Sequence, residues 1–165
     1  MERKEGLRTL PVRDNHNCFG CSTTNASGLK MRFQTDGEAL YTWLVVPDHF
    51  SGWSNLVHGG ITTTILDETM GWSAIYLLRA MVLTKSINID FLKPIYVGDD
   101  IRAEGRVVEM REREAVMQGL LYNSEGRLCA RATGIFAMVP AERAKKMGML
   151  DEALLRDLDK LVSPG

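Results

Sequence analysis

The stretch NLVHGGITTTILDETMG, Asn55 to Gly71, sets a histidine and two glycines directly before an apolar run, with a carboxylate, Asp67, eight positions after Gly59. The first N–H groups of a helix have no intrahelical acceptor, and the helix dipole favours negative charge there. His58, Gly59 and Gly60 therefore mark a corner that suits an anion or a polarised oxygen. Asp67 lies inside otherwise apolar sequence. Burying an unpaired carboxylate is costly, so Asp67 needs a partner or a chemical task, and a carboxylate can serve as general base or nucleophile. Glu68 follows at once. Adjacent helical positions point about 100° apart, so Glu68 is expected to face another environment or to act as a second acid. A separate group, Cys18 and Cys21 with His16 in DNHNCFGC, has the donor types of a zinc site. Only three such donors are local, with His49 a distant fourth, so the expectation is a structural turn and no metal.

The elements that must hold these residues follow from periodicity. Residues 1–27 are rich in Asn, Gly and Ser near their end and read as an irregular segment containing the Cys-x-x-Cys turn. LKMRF alternates Leu29, Met31 and Phe33 against Lys30 and Arg32, the pattern of a half-buried strand. EALYTWLVV is a second strand, ended by Pro47. From Ile61 to Arg79 the spacing becomes helical, with Ile61, Ile65, Met70, Trp72, Ile75 and Leu78 spread around much of the circumference, as in a buried helix. Thr62, Thr63 and Thr64 read as small residues at a packed surface. SINIDF, DIRAEGRVVEM, AVMQGLLY and LCARATGIFAM then read as strands, with a turn at Gly98 and a hairpin at NSEG. Residues 140–165 form an amphipathic helical tail broken near Gly148. One buried helix needs a sheet around it, so residues 28–139 are predicted to be an α+β domain: an antiparallel sheet curled about one long helix.

Composition sets the outer limits. The chain has 165 residues, 45% hydrophobic and 25% charged, with a formal net charge of −1. That is ordinary for a globular protein and gives no electrostatic case for nucleic acid or an anionic membrane. No secretory leader or membrane-spanning run is seen, so a cytoplasmic location is expected. Three cysteines argue against a disulfide framework, and Cys129 reads as a small buried residue.

The pattern VHGGITTTILDETMG, together with LTKSINIDFLKPIYVGDDIRAEGRVVEM and GRLCARATGIFAM, resembles the hotdog-fold acyl-CoA thioesterases, specifically their PaaI-like branch. The resemblance covers roughly residues 17–139. It implies a hotdog fold and hydrolysis of an acyl- or aryl-acyl-CoA without a cofactor, coenzyme A being part of the substrate. It implies the Gly59 amide as oxyanion donor, Asp67 as general base or nucleophile, and Thr84 as a hydroxyl that positions the attacking water. His58 belongs to the same catalytic group, directly or by fixing the loop. Gly60, Asn55, Glu68, Lys85 and Lys93 are candidate substrate contacts, the lysines (with Arg32) for the phosphates of coenzyme A. Some relatives carry an asparagine or glutamine six positions before the histidine; here that position is Gly52.

Eight residues at about 1.5 Å each put Gly59 and Asp67 roughly 12 Å apart along a helix. One carbonyl cannot touch both, so a site built from the pair takes one residue from each of two subunits. A homodimer, or a tetramer of such dimers, is expected. Trp53, Trp72 and Tyr76 are assigned first to core packing, then to pocket lining. The alternatives are a non-catalytic module binding acyl-CoA or another acyl ligand, which the absent amide at Gly52 favours, and a hotdog hydratase.

Overall fold

The computed structural model describes residues 5–12 and 16–148; the predicted tail beyond Gly148 lies outside the described residues. Two short strands, β1 (Arg8–Thr9) and β2 (Gln34–Thr35), precede β3 (Ala39–Val45) and a 3-10 turn, Asp48–Phe50. The long helix α1 (Gly59–Leu78) follows, then β4 (Met81–Phe91), β5 (Asp100–Met110), β6 (Glu114–Tyr122), β7 (Leu128–Val139) and α2 (Ala141–Lys146). The strands form one antiparallel sheet in the order β1-β2-β3-β5-β6-β7-β4. This is the hotdog fold: a sheet curved around a single long helix.

The helix sinks into the sheet because the strands beneath it carry glycine where it presses. Gly105 and Gly119 pair across β5 and β6. A Cβ at Gly105 would stand 2.2 Å from Ser73 Oγ, and one at Gly119 would stand 3.1 Å from a Leu66 methyl. The buried side of α1 mixes Ile65, Leu66, Met70 and Ala74 with Thr62, Thr69 and Ser73. The buried hydroxyls of Thr69 and Ser73 donate to carbonyls one turn back, each at 2.6 Å, which satisfies polar groups that would otherwise be costly there. Around this face stand Leu40, Ile101, Met117, Leu121 and Phe136, all fully buried.

Five local readings need correction. Residues 29–33 alternate in burial as predicted, Leu29, Met31 and Phe33 being buried, but they form no strand. The Leu29 and Met31 amides donate to the carbonyls of Phe19 and Gly20, so the segment is zipped to the cysteine turn rather than to a ladder. The helix starts at Gly59, two residues earlier than its apolar spacing. Trp53 is neither core nor half-buried but 86% exposed. In SINIDF, Phe91 falls on the apolar side with Ile87 and Ile89 and would be buried by that pattern, yet it is 58% exposed: β4 is an edge strand with no partner on its free side among the described residues. Glu104, on the polar side of DIRAEGRVVEM, is nonetheless buried between Arg102 and Arg106, which bond its two oxygens. No helix among the described residues is long and apolar enough to cross a membrane.

Candidate active site

Asp67 lies in the middle of α1, half-buried, and its Oδ1 accepts a hydrogen bond from the Thr84 hydroxyl at 2.8 Å. Thr84 reaches it because the β4–β7 register shifts between Thr84 and Ser86. The extra residue, Lys85, is turned out of the ladder and pairs with Glu114. A bulge of this kind re-aims a strand side chain. Asp67 and Thr84 line a cavity of about 210 Å³ together with Trp72, Ile75 and Phe136. One carboxylate oxygen is thus held by a fixed donor beside an apolar wall, and the other is left to act on a water or a carbonyl.

Glu68 lines the same cavity, although its carboxyl turns toward the N-terminal turn. The Cys18 thiol donates to Glu68 Oε1 at 3.3 Å, while Glu68 Oε2 is buried with no hydrogen-bond partner among the described residues. Burial, then the neighbouring Cys18 charge, pushes the Glu68 carboxyl up to about 7. The Cys21 thiol, hydrogen-bonded to the Cys18 sulfur, holds Cys18 well below the ordinary thiol range, and the same contact with burial pushes Cys21 up. Cys18 and Glu68 thus meet directly between the N-terminal turn and α1. Gly20 makes the contact possible: a Cβ there would lie 2.2 Å from Glu68 Cγ.

The other corner is at the start of α1. His58 is the N-cap, and its Nδ1 accepts from the Gly60 amide at 2.9 Å. His58 therefore fixes the loop in the manner of an N-cap acceptor. The amides of Ile61 and Thr62 donate to the His58 carbonyl. That leaves the Gly59 amide as a first-turn donor with no intrahelical acceptor by its position. Gly59 lines a second cavity of about 300 Å³ with Leu56, Val57, Phe91, Lys93 and Pro94. Gly52 is packed against His58, and a Cβ on it would stand 3.2 Å from His58 Cα, so a side chain at that position would press directly on the cap. The Asn55 carbonyl accepts from the Val97 amide.

The structure thus brings Asp67, Glu68 and Thr84 together at one cavity and Gly59 with Lys93 at another. The two cavities share no lining residue. Lys85 lines neither, and Asn55 and Gly60 line neither. The cysteine pair at the Asp67 cavity is the feature that sequence reasoning set aside. Its only local signal was the Cys-x-x-Cys spacing, since Glu68 lies fifty residues away.

The fold and this arrangement define a hotdog-fold protein with a helix-start glycine and a mid-helix acid. The family model described as "Thioesterase superfamily" matches residues 54–130, the stretch that holds α1 and most of the strands wrapped around it. Among curated proteins it is 31% identical over 88 residues to a Saccharolobus solfataricus protein described as an esterase, covering 53% of this chain and 62% of that one. It is 26% identical over 96 residues to acyl-coenzyme A thioesterase THEM4 of Rattus norvegicus, covering 58% and 41%. The chain thus spans about two-fifths to three-fifths of the length of these relatives. Among solved structures, the Escherichia coli PaaI protein superposes with a TM-score of 0.62 at 18% identity, covering 68% of this chain and 81% of that one. A hypothetical thioesterase protein with coenzyme A from Streptococcus pneumoniae TIGR4 does so at 0.59 and 22%, covering 62% and 80%.

Proposed function

We propose that this protein is a PaaI-like acyl-CoA thioesterase working as a homodimer, its active site assembled from the Gly59 corner of one subunit and the Asp67 corner of the other. The observation that carries this is the division of the machinery: a free first-turn amide at one cavity, a carboxylate held by a hydroxyl at another, and roughly 12 Å of helix between them. In a two-fold dimer each chain supplies one half to each of two equivalent sites. The thioester carbonyl lies against the Gly59 N–H, which takes up charge as the tetrahedral oxyanion forms. Asp67, oriented by Thr84, either draws a proton from water or attacks the carbonyl itself. His58 holds the Gly59–Gly60 amides in place. Lys93, at the rim of the Gly59 cavity, suits a phosphate of coenzyme A. The chemistry calls for no cofactor, and a cytoplasmic location suits such a substrate.

The test is release of free thiol from a panel of acyl-CoAs of differing chain length and aromaticity, with Asp67→Asn as control. Turnover on at least one member, abolished by the substitution, is expected. Turnover that survives Asp67→Asn would remove the assigned role. Binding without turnover across the panel would leave an acyl-ligand binding module, the second reading that Gly52 favours.

A further inference from the structure

We propose that Cys18, Cys21 and Glu68 form a binding site for a zinc-type divalent cation, held by two sulfurs and one carboxylate oxygen. One ligating atom from each of the three lies within 4.8 Å of the other two. In a tetrahedral zinc site, with Zn–S near 2.3 Å and Zn–O near 2.0–2.2 Å, neighbouring donors are separated by roughly 3.5–4 Å. The cluster is therefore already at close to ligating spacing, and a small inward movement closes it around an ion. Thiolate sulfur and carboxylate oxygen together suit zinc better than the hard cations magnesium and calcium, which take oxygen alone.

Two further features distinguish this from a chance grouping. Glu68 Oε2 is buried without a hydrogen-bond partner among the described residues, an expense that a cation would remove. The bare Cα of Gly20 lets the turn lie directly on the Glu68 side chain. The three ligands arrive from two elements: the cysteines from the N-terminal turn and Glu68 from the middle of α1. An ion there would tie that turn to the helix, beside the carboxylate at Asp67. All three residues also line the Asp67 cavity, so the fourth coordination position falls to a water there. His16 stands outside the donor set; its Nδ1 accepts from the Cys18 amide at 3.3 Å.

The proposal goes beyond thioester hydrolysis and is tested without it. The full-length protein is prepared under reductant and without chelator, equilibrated with zinc, dialysed into zinc-free buffer and assayed for bound metal. In parallel the metal-free protein is titrated with cobalt(II). About one zinc per chain is expected, and the cobalt form should show thiolate-to-cobalt absorption with the intensity of tetrahedral geometry. Cys18→Ser should abolish that absorption. Glu68→Gln should weaken zinc binding by more than the roughly 10- to 100-fold that outer-shell changes cost. Retention of no more zinc by the wild type than by Cys18→Ser would overturn the proposal. So would a cobalt form lacking the thiolate band, a result that holds even if a cysteine variant fails to fold.

Discussion

Gly59→Pro removes a single N–H and nothing else that the helix start uses. Proline is at home in the first helical position, where the missing donor has no intrahelical acceptor and the fixed φ suits the turn. The residue before a proline must be extended, and His58 already is, at φ −60° and ψ 135°. The Gly60 amide keeps its bond to His58 Nδ1, and the Ile61 and Thr62 amides keep theirs to the His58 carbonyl. There is also room: a Cβ at position 59 meets only the Phe91 ring, at 3.8 Å. Replacing a flexible glycine by proline at a compatible site stabilises by about 0.4–1 kcal/mol, which for a chain of this size raises Tm by roughly 1–4 °C. Loss of an oxyanion donor costs on the order of 100- to 1,000-fold in kcat, about 2.7–4 kcal/mol. The expected outcome is therefore an enzyme that melts no lower and turns over two to three orders of magnitude more slowly. Gly59→Ala, which adds a Cβ and keeps the amide, supplies the comparison. Thiol release on the best acyl-CoA of the panel gives kcat and KM, and thermal melts followed by circular dichroism report the fold. If Gly59→Pro stays within roughly threefold of Gly59→Ala in kcat, a difference under 1 kcal/mol, while melting normally, the Gly59 amide is not the oxyanion donor.

Thr84→Val removes the donor to Asp67 and should lower kcat roughly tenfold, the worth of a hydrogen bond to a charged group at a partly solvated site; Thr84→Ser should restore it, and a change confined to KM would argue against a positioning role. Mixing Gly59→Pro with Asp67→Asn subunits should recover about one quarter of wild-type activity. Half of randomly assorted dimers are mixed, each with one intact site of two, and an inactive mixture of exchanging subunits would rule out the shared site. Gly105→Ala drives a Cβ to 2.2 Å from Ser73 Oγ and 2.7 Å from the Thr69 carbonyl oxygen. It should cost about 1–3 kcal/mol, seen as a Tm lower by roughly 2–12 °C, and an unchanged melt would mean that the helix can lift from β5 without penalty.

What was legible in the sequence was whatever a short window contains. The glycine pair and the change from twofold to helical spacing located α1, and four alternating runs with a hairpin at NSEG located the strands that wrap it. Contacts between distant segments left much weaker marks. Alternation at Leu29, Met31 and Phe33 reports a buried side, but it does not tell whether the backbone bonds a strand or, as here, the turn at Phe19 and Gly20. Phe91 looks buried by pattern because nothing local shows that β4 is an edge strand. The same limit divides the candidate site. Asp67 was conspicuous, since an acid in an apolar helix is costly without a reason, and Thr84 entered only through a resemblance; the bond between them depends on a one-residue slip of β4 against β7. Glu68 shows the limit most clearly. By helical geometry it had to diverge from Asp67, and its carboxyl does. What it diverges toward is a cysteine turn fifty residues earlier, where a carboxylate oxygen lies within 4.8 Å of both sulfurs. A cluster divided between two elements is invisible to spacing, because spacing reports only what one short window contains.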